Sequence, residues 1–361
     1  MKKQYFTRAT YWLAPLALTC SLGASLACGG SSGAKSAKAA KAQRPDPQAP
    51  LVEPPIPAPV TTNPLQGAKL FVDPQSLAML QANNLRRTDA AQAAVVDRIA
   101  QQPQGLWMGE WNSDIFRAVQ YFVERAVKDG SVPVIIAYNV PHRDAAAEGA
   151  DAGHSAGGLD SKEAYMRWIR DVYAGIGDNA AVVILEPDAL PGLKSMPEDW
   201  QKERLYLLND AIRTLRQNPK VAVYIDAGHA AWVPAEEMAE MLKGAGVEYA
   251  SGFSLNTSNY RTTEECLEYG HQLSELTGGK HFVIDTSRNG AGPYLEAKNE
   301  EETWCNPPGR KIGQAPTTQT GDAVVDAYLW LKRPGESDGE CNGGPKAGVW
   351  WMDQAIQMAS P

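Results

Sequence analysis

The chain has few cysteines and no excess of basic residues, and each shortage excludes a class of protein. Five cysteines in 361 residues, none at CxxC or CxxH spacing, make neither a disulfide scaffold nor a cysteine-ligated metal site. Lys and Arg number 34 against 42 Asp and Glu, a formal charge of −8. Such a chain has no basic footprint with which to displace counterions from a nucleic acid. No GxGxxG follows a candidate strand and no GxxxxGK[ST] occurs, so the usual markers of a nucleotide fold are missing. The N-terminal apolar stretch is too short to span a bilayer comfortably. Tryptophan, by contrast, is plentiful, ten against six Phe, and its flat face can stack on a sugar ring as well as fill a core. Hydrophobic residues at 43% and charged residues at 21% are ordinary globular usage. The length admits one large domain with extensions.

Residues 1–27 have the three parts of an export signal: Lys2, Lys3 and Arg8, an apolar stretch, then small residues through Ala27. Cleavage after Ala27 leaves Cys28 at the new terminus, followed by Gly29 and Gly30. The arrangement resembles a bacterial lipoprotein signal, with Ser25 where that pattern prefers Leu. Two outcomes are open. One is a lipid anchor at Cys28, which makes the protein a cell-envelope lipoprotein and supplies its only expected attachment to a membrane; the other is plain secretion. Residues 28–63 are rich in Gly, Ser, Ala and Lys and then in proline, from Pro45 to Pro59, so they read as an anchor and an extended, partly polyproline linker. The globular part is 64–361. With Cys20 in the signal, Cys266, Cys305 and Cys341 remain for an oxidising compartment, enough for one bridge and one free thiol. Cys305 and Cys341 lie in Gly-, Pro- and Asn-rich surroundings while Cys266 sits in the helical TTEECLEYG, so Cys305 with Cys341 is the expected disulfide.

In the globular part short β-branched runs alternate with amphipathic stretches. Strands are expected at 105–110, 132–139, 180–186, 221–226, 249–256, 281–285 and 324–331, and helices at 115–128, 162–175, 198–216, 235–243 and 263–276. The strands are continuously apolar rather than alternating, as in a parallel sheet covered on both faces. This predicts an α/β fold, a distorted, seven-stranded parallel β/α barrel of the TIM type. Asp144, Asp188, Asp226 with His229, Asn256, Asp285 and Asp338 fall at or just beyond strand C-termini. In such a barrel those ends converge on the active-site face.

Four segments carry the chemistry: YNVPHRDA from Tyr138, ILEPDAL from Ile184, YIDAGH from Tyr224 and LKRPGESDGEC from Leu331. One such carboxylate can simply cap a helix. Four together, with aromatics and no nucleotide motif, favour acid/base hydrolysis of a glycoside, in which one carboxyl group stays protonated while another is ionised. A metal-dependent hydrolase built on Asp188, Asp226, His229 and Asp285 is the competing reading from another enzyme class.

The motifs YNVPHRDA, VVILEPDAL, YIDAGHAAWVP, NTSNY, VIDTSRNGAGP, WCNPPGRKIG and LWLKRPGESDG stand in the order and at the spacing of glycoside hydrolase family 6, and from about Asn63 onward the chain resembles that family. The resemblance implies an inverting endo-β-1,4-glucanase, a cellulase acting on cellulose or related β-glucans as a monomer without cofactor or metal. Asp188 is then the general acid, and Asp144 the neighbour that holds up its pKa. Asp338 is the candidate base, reached through a water relay that Ser155 orients, and Tyr138 presses on the sugar at the cleavage point. Asp226, His229, Trp232, Asn259, Trp304, Lys332 and Glu336 match sugar-contacting positions, and Cys305 and Cys341 match a family bridge. The chain departs from the pattern at Ala145, where most relatives carry a cysteine, and in the longer loop after Asp144.

Within the family, a chain-end-acting cellobiohydrolase needs long loops that roof a tunnel. Here Asp338 is followed only by GECNGGPK before the closing segment that begins at Ala347, too few residues to cross a glucan chain and return. An open cleft is expected. A non-catalytic surface glucan-binding lipoprotein is the remaining alternative, and it requires a lost acid, whereas Asp144, Asp188 and Asp338 are all present.

Overall fold

The computed structural model describes residues 43–143 and 157–361. Seven strands form one sheet, all parallel and paired in chain order: β1 (Leu106–Met108), β2 (Val134–Ala137), β3 (Ala181–Leu185), β4 (Val221–Asp226), β5 (Gly252–Leu255), β6 (His281–Asp285) and β7 (Val325–Leu329). Helices α1 (Leu77–Leu85) and α2 (Ala90–Ala100) precede β1. The next five follow β1 to β5 in turn: α3 (Ile115–Lys128), α4 (Lys162–Ile176), α5 (Glu198–Leu215), α6 (Ala235–Gly244) and α7 (Thr263–Leu276). A single turn, α8 (Glu301–Trp304), lies between β6 and β7, and α9 (Met352–Ala359) closes the order. The fold is the distorted seven-stranded barrel that the apolar runs predict.

Strand periodicity sorts the core into two layers. Val134, Ile136, Val182, Ile184, Ala222, Tyr224, Val283, Ala327 and Leu329 meet inside the curled sheet. Ile135, Ala137, Val183, Leu185, Val223, Ile225, Phe253 and Ile284 point outward, under the helices. The outer layer works because each helix offers one apolar stripe. On α3 it comprises Ile115, Phe116, Val119, Phe122, Val123 and Ala126, begun by Asp114, whose side chain caps the Arg117 N–H. On α7 a capping box between Thr262 and Glu265 fixes the start.

The two edge strands approach without a ladder. Gly105 donates its N–H to Trp330 O at 2.8 Å, and Trp107 Nε1 donates to Leu331 O at 3.0 Å. A Cβ at Gly105 would lie 3.1 Å from that Leu331 oxygen and 2.3 Å from Ile136 Cδ1, so a larger residue here would crowd the approach of the edges. Helices α1, α2 and α9 form a third apolar cluster around Trp330, built largely from Ala78, Ala82, Ala100, Ala355 and Ala359.

The proline-rich residues from 43 to 63 are tied to the body. Arg167 donates to Ala49 O at 3.0 Å and Arg170 to Val52 O at 3.0 Å, both from α4. From α5 and its end, Arg213 bonds Glu53 and the Pro54 carbonyl, and Gln217 donates to Pro55 O at 3.1 Å. A polyproline-like chain makes no internal hydrogen bonds and leaves its carbonyls free for such donors. The part of the expected linker that the structure describes is thus a strap lying on two helices.

At Gly252, paired with His281 in the β5–β6 register, a Cβ would sit 1.8 Å from the His281 carbonyl oxygen. Since the obstacle is backbone, Gly252→Ala should cost about 1–3 kcal/mol, the range for an overpacked core. For a domain of about 300 residues that corresponds to a melting point lower by about 2–5 °C. A calorimetric scan showing no loss contradicts the register.

Candidate active site

Three buried carboxylates at strand ends organise the loops above the barrel. Glu186, directly after β3, accepts the N–H groups of Asn139 (2.8 Å) and Val140 (3.0 Å) from the loop after β2. Asp226, the last residue of β4, accepts the N–H of Asp188 (3.0 Å) from the loop after β3, the N–H of Gly228 (3.2 Å) and the Thr257 hydroxyl (2.6 Å). Asp285, the last of β6, accepts Ser258 N–H (2.9 Å), Ser287 N–H (2.9 Å), Leu331 N–H (3.2 Å) and Lys332 N–H (3.1 Å). All three are inaccessible to solvent. Burial pushes Glu186 up to about 7 and Asp226 up to about 6, against the opposing pull of the N–H and O–H donors. Burial raises Asp285 as well.

Asp188 stands half-buried on the rim, with its amide fixed by Asp226. Its backbone is left-handed, φ 68°, as is that of Glu186 two residues earlier, φ 49°. Such conformations cost about 1–3 kcal/mol in a residue with a side chain and persist where the surroundings impose them. Pro187 between them carries no N–H that could continue the sheet.

At the far end of the network Asp338 is locked between two cations. Its Oδ2 lies 2.7 Å from Arg288 Nη1 and its Oδ1 2.8 Å from Lys332 Nζ. Asn306 N–H (3.0 Å) and the Tyr260 hydroxyl (3.3 Å) complete its shell. Burial alone would raise this carboxyl, but the Arg288 and Lys332 charges outweigh it and hold Asp338 well below the usual carboxylate range. The Cys305–Cys341 disulfide is present and, with the Asn306 side chain donating to Gly339 O (2.8 Å), pins the short loop that carries Asp338.

The remaining predicted residues are distributed around this frame. Tyr138 is buried after β2, with the Arg143 guanidinium 4.2 Å from its ring centre and Trp107 edge-on at 5.2 Å; Arg143 in turn forms a fork with Glu110. Burial and Arg261 depress His229 to about 4, so its imidazole is neutral at neutral pH. Trp232, 5.6 Å from His229, and Trp304 are 44% and 37% exposed, open enough to receive a sugar face. Asn259 is half-buried and its side chain accepts the Tyr260 N–H at 2.9 Å. Glu336 is buried against Arg333 at 2.9 Å, and burial raises it. Lys332 is occupied as the partner of Asp338, and Asp226 lies beneath the rim with its oxygens taken by the loops. Asp144, Ser155 and Cys28 lie outside the described residues. Among the described residues no three His, Cys, Asp or Glu side chains converge to hold a metal ion.

Several residues of this frame were assigned no role from the sequence. Arg288, Asn306, Tyr260 and Glu110 become partners only through the fold; Arg288 and Asp338 are 50 residues apart. Tyr260, Arg288 and Asn306 lie inside the motifs NTSNY, VIDTSRNGAGP and WCNPPGRKIG, which single them out but do not say what they touch.

A family model described as glycosyl hydrolases family 6 matches residues 65–361. Endoglucanase A of Cellulomonas fimi is 42% identical over 292 residues, 80% of this chain and 60% of that protein. Endoglucanase A of Thermobispora bispora is 40% identical over 297 residues, 80% of this chain and 61% of that protein. The chain therefore spans about three fifths of the length of these curated relatives. Among solved structures, the endoglucanase Cel6 of Mycobacterium tuberculosis, in complex with a thio-linked methyl-cellobiosyl cellobioside, superposes with a TM-score of 0.76 at 43% identity, covering 82% of this chain and 98% of that one.

The raised Glu186 carries a pH signature. With a folded value of about 7 against an ordinary 4.5, the native state binds a proton that the unfolded state has released, so native stability from this group falls as pH rises between those values. In Glu186→Gln that dependence vanishes. The melting-point difference, variant minus wild type, should increase from about pH 4.5 to about pH 7 and then level. A constant difference across that window means the carboxyl is ionised throughout.

Proposed function

The chain belongs to glycosyl hydrolases family 6, and from that premise we propose that it is an inverting endo-β-1,4-glucanase whose general acid is Asp188. The observation that carries the reading is the pairing, on one barrel rim, of a half-buried Asp188 with an amide fixed by Asp226 and an Asp338 kept ionised by Arg288 and Lys332. Inverting hydrolysis needs one carboxyl group able to deliver a proton and a second that is ionised when water attacks.

In the proposed step Asp188 gives its proton to the glycosidic oxygen as the C1–O bond breaks. A water adds to C1 from the opposite face, and its own proton leaves through ordered water. Asp338 is a weak proton acceptor because it is so strongly stabilised as the anion. Its part is to supply negative charge for the cationic transition state and for the departing proton, not to abstract the proton directly. Asp144 lies five residues beyond Asn139, whose amide Glu186 holds, and serves to keep Asp188 protonated; Ser155 orients the relay. Tyr138, backed by Arg143 and Trp107, provides a rigid surface for a distorted sugar ring, and Trp232 and Trp304 provide open stacking faces.

Action within the chain, not at its ends, is supported by the loop after Asp338, which is short and held by Cys305–Cys341 and Asn306. The curated relatives at 40–42% identity are named endoglucanases, and the Mycobacterium tuberculosis relative binds a cello-oligosaccharide analogue. Export and a lipid anchor at Cys28 complete the proposal, on the strength of the N-terminal pattern. Membrane fractionation of wild type and Cys28→Ser tests the anchor; equal solubility leaves plain secretion.

Asp188→Asn should reduce turnover on unactivated β-1,4-glucan by about 10²–10⁴, the worth of a positioned proton donor, and much less on a substrate with an activated leaving group. Proton NMR of fresh products should show the α anomer first; a first-formed β anomer contradicts the inverting mechanism. Viscosity of soluble carboxymethylated cellulose should fall steeply while few reducing ends appear. Cellobiose released with viscosity almost unchanged favours chain-end action.

A further inference from the structure

Helix α5 lies outside the barrel, yet one of its side chains reaches between the two loops that carry the expected chemistry. Arg204 is 4% exposed. Its Nη2 donates to Pro141 O (2.9 Å) and His142 O (2.7 Å) in the loop after β2, and its Nη1 donates to Ala189 O (3.3 Å) in the loop after β3. One turn earlier on the same helix face, Trp200 stacks on the His142 ring, with centres 3.6 Å apart and planes 6° from parallel. The helix thus grips the first loop by a ring and a guanidinium, and the second by the same guanidinium.

The acceptors flank the residues that matter. His142 is two residues before Asp144, and Ala189 directly follows Asp188. His142 and Asp188 are both left-handed, φ 56° and 68°, and Arg204 bonds the carbonyl of one and the carbonyl next to the other. The one disulfide among the described residues, Cys305–Cys341, is on another part of the rim. A buried cation placed only for stability would be replaceable by an apolar side chain of similar volume. A planar fork that meets carbonyls from two loops instead fixes their distance, which a lysine, with its donors on one nitrogen, reproduces incompletely.

We propose that Arg204 is a positioning residue for the hydrolysis, setting the spacing between Asp188 and the loop that carries Asp144; this rests on the acid role given to Asp188 above. Arg204→Met and Arg204→Lys, in the full chain, test it by steady-state kinetics on a soluble cello-oligosaccharide across the pH range, with thermal melts and amide hydrogen exchange alongside. For Met the expected result is kcat lower by about 10–100-fold, the scale of a 1 Å misplacement, with KM within about threefold. The two limbs of the pH profile should move relative to each other, because the mutual repulsion of two carboxyls depends on their separation. Lys should recover part of both effects, and amides at 139–142 and 188–190 should exchange faster while those of the strands do not. Full activity in Met, or an activity loss matching the unfolded fraction with an unmoved pH profile, overturns the proposal. If Met does not fold, Lys is judged by the same readouts. If the wild type cleaves no β-glucan, it is the hydrolase reading that fails; hydrogen exchange then decides the clamp, faster exchange in both loops supporting it and unchanged exchange overturning it.

Discussion

The rim of this barrel depends on one recurring bond: a buried carboxylate at the end of a strand accepts backbone N–H groups from the loop of the preceding strand. Glu186 after β3 holds the β2 loop, Asp226 of β4 holds the β3 loop, and Asp285 of β6 holds the β5 loop and also the chain leaving β7. Loop amides above a barrel would otherwise need water, and a carboxylate with two oxygens satisfies several at once. The cost is three carboxyl groups withdrawn from water, visible in their raised proton affinities. In return, each loop leaves its strand in a direction set by its neighbour, and Asp188 emerges at a fixed point.

This arrangement explains how the sequence could reveal much of the fold and only part of the site. Helices at 115–128 and 263–276 coincide with α3 and α7 because each has a regular apolar stripe and a strong N-terminal cap. The strands were legible as β-branched runs; β4 and β6 coincide with 221–226 and 281–285, while the other five hydrogen-bonded cores are shorter than the apolar runs that contain them. Helices α1, α2 and α9 left no such trace, since they pack through alanines around Trp330 and alanine carries little periodic contrast. At the site, carboxylates at strand ends marked the correct rim but not the division of labour. Composition cannot distinguish Asp226, which faces inward to backbone, from Asp188, two residues past Glu186 and facing outward. Arg288 and Asn306 stand inside quoted motifs, but that they define the state of Asp338 was not legible, because that partner lies 50 and 32 residues away.

The two ends of the rim follow different electrostatic rules. Around Glu186 and Asp226 the donors are neutral amides and hydroxyls, too weak to overcome desolvation, so proton affinity rises. Around Asp338 two full positive charges reverse the outcome. The loops above one barrel therefore hold carboxyl groups of raised proton affinity and one that stays anionic, with no change in residue chemistry beyond the neighbours.

The strap of residues 43–63 has a consequence for how the chain becomes a folded protein. Its docking partners arrive late: the contact from Gln217 to Pro55 spans 162 residues and that from Arg170 to Val52 spans 118. A chain emerging from its N-terminus must keep this segment unpaired until α4 and α5 exist, and polyproline geometry suits the wait, being extended, well hydrated and free of internal bonds that would first have to break. Contacts of such long sequence separation form after local ones because their loop-closure entropy is larger. The strap can therefore seat only once α4 and α5 are in place.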